Sequence, residues 1–214
     1  MKNATRLITV EPVKKQTGSM PGIPEDQTWT QTNLDVTHFR NGDPVPEATS
    51  AKAWMEAARL MKPAFCYYNN DSENGRLFGK LYNWYAVNDP RGLAPEGYHI
   101  PSVAEWVRCI QKLGGKHHAG GRLKEKGLQH WMAPNNTLNC ATTIYARPGG
   151  FRMPDGRFAG LGYMGCWWAL PLSYEDNSFA NSYTLFAEHT SIAENHEEKG
   201  SAMSVRCIQD DWLL

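Results

Sequence analysis

An α+β fold, with helices first and antiparallel strands after them, is what this sequence predicts, and three observations carry it. The clear helical signals fall in the first 125 or so of the 214 residues. The stretch from Gly149 to Trp168, GGFRMPDGRFAGLGYMGCWW, mixes glycine, aromatics and a Pro-Asp-Gly turn, which is hairpin composition and not helix composition. From Thr142 onward only short strands and loops can be read, closing on Ser204-Val205-Arg206-Cys207-Ile208. Two helices packed on short antiparallel strands, with a loop-rich C-terminal half, are therefore expected.

Taken in order, residues 1–26 are polar and turn-rich and read as a tail or arm whose order depends on a partner; residues 27–214 form the domain. Gln27 to Arg40 alternates loosely, as a strand does, and Asn41-Gly42-Asp43 marks a turn. Ser50 caps a helix running to about Met61, with Trp54, Ala57, Ala58 and Met61 on one face and Pro63 stopping it. Asn69 to Gly75 is a polar loop, and the run LFGKLYNWYAV after it fits a short helix or a strand. Ser102 and Glu105 form a capping box, and Trp106, Cys109, Ile110 and Leu113 line one face of the helix it opens. Gly114-Gly115 end that helix, and GRLKEKG is a short basic helix candidate beyond it. The strands expected further on are 142–147, 151–153, 157–159, 164–168, 182–188 and 202–208.

Composition excludes several functions. Charge is balanced, 22 basic residues against 22 acidic, and no basic stripe exists to neutralise phosphates, so no nucleic-acid partner is expected. The N-terminus lacks the apolar core of a secretory signal, and no run is long enough to insert in a membrane. The chain is thus expected to be cytoplasmic as made, with display on a virion or cell surface as the alternative. The cysteines, Cys66, Cys109, Cys140, Cys166 and Cys207, form no Cys-x-x-Cys pair, which argues against structural zinc. No metal site, cofactor or catalytic residue is expected. His99 reads as a buried structural histidine, and no Gly-x-Ser-x-Gly or His-Glu-x-x-His occurs.

Several blocks resemble one family. Trp29 with Asn33-Leu34, Phe39 to Pro46 (FRNGDPVP), Leu81 to Val87 (LYNWYAV), Pro95 to Ser102 (PEGYHIPS), Ala104-Glu105-Trp106, Gly120 to Glu125 (GGRLKE), Pro148 to Arg152 (PGGFR) and Ser204 to Cys207 (SVRC) keep the order of the Fibrobacter succinogenes major paralogous domain family. The resemblance spans roughly residues 27–209. It implies a C-type-lectin-like fold, distantly similar to formylglycine-generating enzymes, and it implies no settled activity. Ala94 stands where that family usually has Cys. In such folds a helix can be bridged to the last strand, which here would join Cys109 to Cys207; the missing export signal argues instead for reduced thiols. A calcium site of the lectin type is not expected, because Ala133-Pro134-Asn135 lacks the acidic ligand and no Trp-Asn-Asp follows. An enzyme of the formylglycine-generating kind would need Cys166 or Cys207 to be reactive.

Function is expected in the stretch from Ala169 to Glu198, which contains no Lys, Arg, Gln, Met, Trp or Gly and is rich in Asn, Ser, Tyr, Phe and Glu. Tyr, Ser and Asn are what evolved binding surfaces favour. The pattern resembles the variable proteins of diversity-generating retroelements, whose mutagenesis of Asn-type codons cannot yield Lys, Gln, Met or Trp. The expectation is a non-enzymatic module whose binding face lies within 163–196, with Tyr163, Tyr174, Asn177, Phe179, Asn181, Tyr183, Phe186 and His189 contacting a protein or glycan receptor. The competing reading is a structural subunit forming homo-oligomers through the arm. Glu194 to Glu198 reads as a solvated charge run.

Overall fold

The first helix begins where its cap stands in the sequence. In the computed structural model, which describes residues 23–138, 142, 144–171 and 178–210, α1 spans Ala51–Arg59 and the Ser50 hydroxyl accepts a hydrogen bond from the Ala53 amide at 3.1 Å. Helices α2 (Ser72–Phe78) and α3 (Trp84–Val87) are short. The longest helix, α4 (Val103–Lys112), opens on the capping box: the Ser102 Oγ accepts from the Glu105 amide, and the Glu105 carboxylate accepts from the Ser102 amide at 2.8 Å. It leads directly to α5 (Lys116–Leu123).

The strands, in chain order, are β1 (Phe65–Cys66), β2 (Leu81–Asn83), β3 (Tyr98–His99), β4 (Gly149–Arg152), β5 (Phe158–Leu161), β6 (Met164–Trp168), β7 (Phe179–Phe186), β8 (Ile192–Glu198), β9 (Ala202–Met203) and β10 (Ile208–Gln209). The main sheet runs β1-β2-β9-β4-β6-β7-β8, with β5 paired to β4; β3 and β10 pair separately. Neighbours are antiparallel except at β4 and β6, which meet in parallel at Gly150 and Gly165. An isolated bridge joins Trp29 to Ile208, so the two ends of the described domain lie side by side.

Period-two alternation divides the core. Trp167, Tyr183, Leu185 and Ile192 enter one cluster with Trp106, Cys109, Ile110 and Leu113 of the α4 stretch and Ala119 and Leu123 of α5. Cys166, Trp168 and Ala180 turn the other way, to Tyr82, Trp84, Val205 and Cys207. A smaller cluster under α1 gathers Trp54, Ala64, Cys66, Leu81 and Ala202. Three buried indoles find acceptors: Trp54 donates to the Gly200 carbonyl, Trp167 to the Asn33 side chain and Trp168 to the Tyr82 carbonyl.

Several expectations change. Among the described residues there are five helices and not two. The 69–75 loop gives way to α2 because Asp71 caps it, its carboxylate accepting from the Glu73 amide. The run LFGKLYNWYAV splits, with Gly79 ending α2, β2 following, and Asn83 capping α3. Gln27 to Arg40 forms only isolated bridges. The C-terminal half is less loop-rich than expected, since Glu194 to Glu198 belongs to β8, the outer edge of the sheet. Tyr183 is fully buried, stacked on Trp106 at 4.9 Å between ring centroids, because it shares the inward face with Trp167 and Leu185. Cys109 and Cys207 are both free thiols and sit in different core clusters, so the bridge that the resemblance allowed is not made in this structure.

Candidate binding site

The turn after β7 is held from below. Lys124, directly after α5, is 2% exposed, and its Nζ donates to the carbonyls of Phe186 (2.9 Å), Ala187 (2.8 Å) and His189 (2.9 Å). The ammonium also lies 5.2 Å from the Trp131 ring centroid. Its three hydrogens match three carbonyls, so every donor of the buried cation is used. Burial pulls its pKa down to about 8, against the opposing pull of Glu188. The Asn136 amide donates to the Ala187 carbonyl and its side chain to that of Glu188, while Gly121 N–H donates to Thr190. Gly120 permits this docking: a Cβ there would stand 2.2 Å from the Ser191 carbonyl oxygen.

On this turn the outward side chains form a rim. Tyr163, from the β5–β6 turn, donates its hydroxyl to the Glu188 carboxylate, which raises the phenol pKa and lowers that of the acid. Its ring meets Phe186 at 6.0 Å, and Phe186 meets His189 at 5.9 Å. Exposed Met132 adjoins them, its amide bonded to the Gly162 carbonyl. An apolar and aromatic surface with one carboxylate and one imidazole is thus presented by backbone fixed from beneath.

The expected residues divide among three places. Tyr163, Phe186 and His189 converge on the rim. Asn181 and exposed Phe179 lie further along β7, where Asn181 Nδ2 stands 3.3 Å from His196 Nε2 of β8. Tyr183 is inside the core, and its hydroxyl has no hydrogen-bond partner there. Tyr174, Asn177 and most of the arm (residues 1–22) lie outside the described residues. Sequence reasoning missed Met132, Glu188 and Lys124; the basic run containing Lys124 was the only trace of the last.

His99 is half-buried between two carboxylates, with Nδ1 2.6 Å from Asp210 and Nε2 2.8 Å from Glu105. Desolvation opposes its charge, but the two acids outweigh it and raise the imidazole pKa. With both ring nitrogens engaged, the imidazole ties the first turn of α4 to Asp210 beyond β10. Cys66, Cys109, Cys166 and Cys207 are buried, and burial pushes their thiols up to about 12, which leaves little thiolate at neutral pH. Among the described residues no group of three or more His, Cys, Asp or Glu is arranged to hold a metal ion. No helix among them is long and apolar enough to cross a membrane.

A cavity of about 490 Å³ opens elsewhere, lined by residues that include Asn33, Phe78, Glu125, Tyr145, Arg147 and Arg206. Arg206 is 1% exposed and donates to Asn33 Oδ1 and to the carbonyls of Thr30, Ile144 and Tyr145. No carboxylate among the described residues pairs with it. Burial, aided by Arg147, pulls its pKa down to about 9. Tyr145 is exposed and holds φ at 44°, a left-handed backbone that strains a side-chain-bearing residue by about 1–2 kcal/mol.

A family model described as Fibrobacter succinogenes major domain matches residues 25–209. No curated protein and no solved structure matches the chain.

Proposed function

Because the chain belongs to the Fibrobacter succinogenes major domain family, we propose that it is a non-enzymatic binding module that offers the Tyr163–Phe186–His189 rim to a protein or glycan receptor. The observation that carries this reading is the Lys124 cage, which fixes the backbone of the turn while its side chains face outward. Preorganised backbone lowers the ordering cost of binding, and aromatic side chains supply contact area with few rotatable bonds. The scaffold is read as C-type-lectin-like, in keeping with the paired ends at Trp29 and Ile208 and with α4 and α5 packed on one face of the sheet. Burial of the thiols weighs against the oxidoreductase alternative.

A panel of glycans and bacterial surface proteins, probed with the wild-type chain and with a Tyr163→Ala/His189→Ala double variant, tests the reading. At least a tenfold loss of the strongest signal is expected. Unchanged binding by the variant overturns it. The sharper version, a hypervariable surface, predicts that alleles differ at solvent-facing positions such as 163, 179, 181, 186, 189 and 196 and not at the glutamates. Differences concentrated outside 163–196, or at buried Tyr183 and Leu185, would remove it.

A further inference from the structure

We propose that the cavity beside Arg206 is a second binding site, for a monosaccharide-sized ligand carrying a carboxylate. The inference rests on donors left over after the protein's own bonds are made. Arg206 has five N–H groups; Nε, both hydrogens of Nη1 and one of Nη2 are taken by Asn33, Thr30, Ile144 and Tyr145, which leaves one on Nη2. Arg147 gives Nε and Nη2 to Glu125 and one Nη1 hydrogen to the Leu77 carbonyl, which leaves one hydrogen on each Nη. Arg147 and Arg206 both line the same cavity. The acids there are engaged: Glu125 by Arg147 and His130, and Asp35 by Lys80. Arg206 thus offers one charged N–H and Arg147 two, a donor set from which an oxyanion such as a carboxylate can accept.

Tyr145 adds the apolar part. Its exposed ring at the cavity is held by a strained backbone whose carbonyl is anchored on Arg206. Strain of this kind persists where surrounding structure over-determines it, and ligand clamps are among the places it clusters. An aromatic face beside cationic donors fits the apolar face and acid group of a sugar acid.

Calorimetric titration with glucuronate and with glucose tests this on the full chain. Glucuronate is expected to bind at least tenfold more tightly than glucose. Arg147→Gln should cut glucuronate affinity at least tenfold. Tyr145→Gly should do the same while leaving the melting temperature unchanged or higher, since glycine relieves the positive φ. Equal affinity for the two sugars overturns the proposal, and so does unchanged glucuronate affinity in either variant. The rim variant Tyr163→Ala/His189→Ala should keep wild-type glucuronate affinity, so failure of this site is distinguishable from failure of the rim.

Discussion

Two parts of this protein are each gathered round a buried cation held by backbone carbonyls, and only one of them is closed. Under the turn at 186–190, the three ammonium hydrogens of Lys124 meet three carbonyls and the account balances. Beside residues 144–147, Arg206 meets three carbonyls and one side-chain amide oxygen, one of its hydrogens has no acceptor among the described residues, and the residue lines a cavity of about 490 Å³. The contrast separates two uses of a buried charge. A cation whose donors are all consumed is a structural rivet, while one with donors to spare beside open space is equipped to receive something.

The largest effect expected from breaking the comparison comes at Lys124. Lys124→Met keeps the stem but takes one donor from each of three inward carbonyls, of which Ala187 keeps the Asn136 amide and Phe186 the His189 amide, and should cost about 3 kcal/mol of stability by denaturant unfolding. A cost under about 1 kcal/mol would mean that the turn is held by its other bonds. Arg206→Lys comes next: three donors cannot reproduce a fork that serves four acceptors, so about 2 kcal/mol should be lost. If that exchange is neutral, the geometry of the guanidinium is not what the site uses.

A third cation sharpens the contrast because carboxylates hold it. The raised pKa of His99 means that its contribution to stability is fully present below the unfolded value of 6.5 and is lost as pH rises through the higher folded value. The lowered pKa of Glu105 acts in the opposite sense, present above 4.5 and lost as pH falls through the folded value. Melting temperature should therefore decline as pH rises above about 6.5, and His99→Gln should flatten that decline. An identical slope in the variant would assign the pH dependence elsewhere. The smallest effect, and one of opposite sign, belongs to Tyr183. Its hydroxyl is buried without a partner among the described residues, so Tyr183→Phe should leave stability unchanged or raise it by up to about 1 kcal/mol. A loss of more than that would reveal a partner for the hydroxyl.

What could be read in the sequence was local. The capping box at Ser102 and Glu105, the apolar face of Trp106, Cys109 and Ile110, and strand β6 at 164–168 depend on spacings within a few residues, and the structure places them there. Strand β8 escaped because it is an edge: of IAENHEE only Ile192 is buried, so no apolar alternation marks it. Tyr183 was misplaced because composition does not report parity, although Leu185 two positions on already pointed inward. The Lys124 cage joins residues 62 to 65 positions apart, and Arg206 reaches back 176 to Thr30; contacts at that range leave no pattern along the chain.

Strand β8 bears on how copies of this protein behave in a crowd. Among the described residues it leaves one edge of the main sheet unpaired, the kind of surface along which sheets of neighbouring molecules fuse. That edge carries Glu197 and Glu198 beside Glu194, which Lys116 pairs, so a second copy approaching edge to edge at its far end meets acid with acid. Packed densely on a surface, such molecules stay separate through repulsion that acts over about 8 Å at physiological ionic strength and fades as salt is raised.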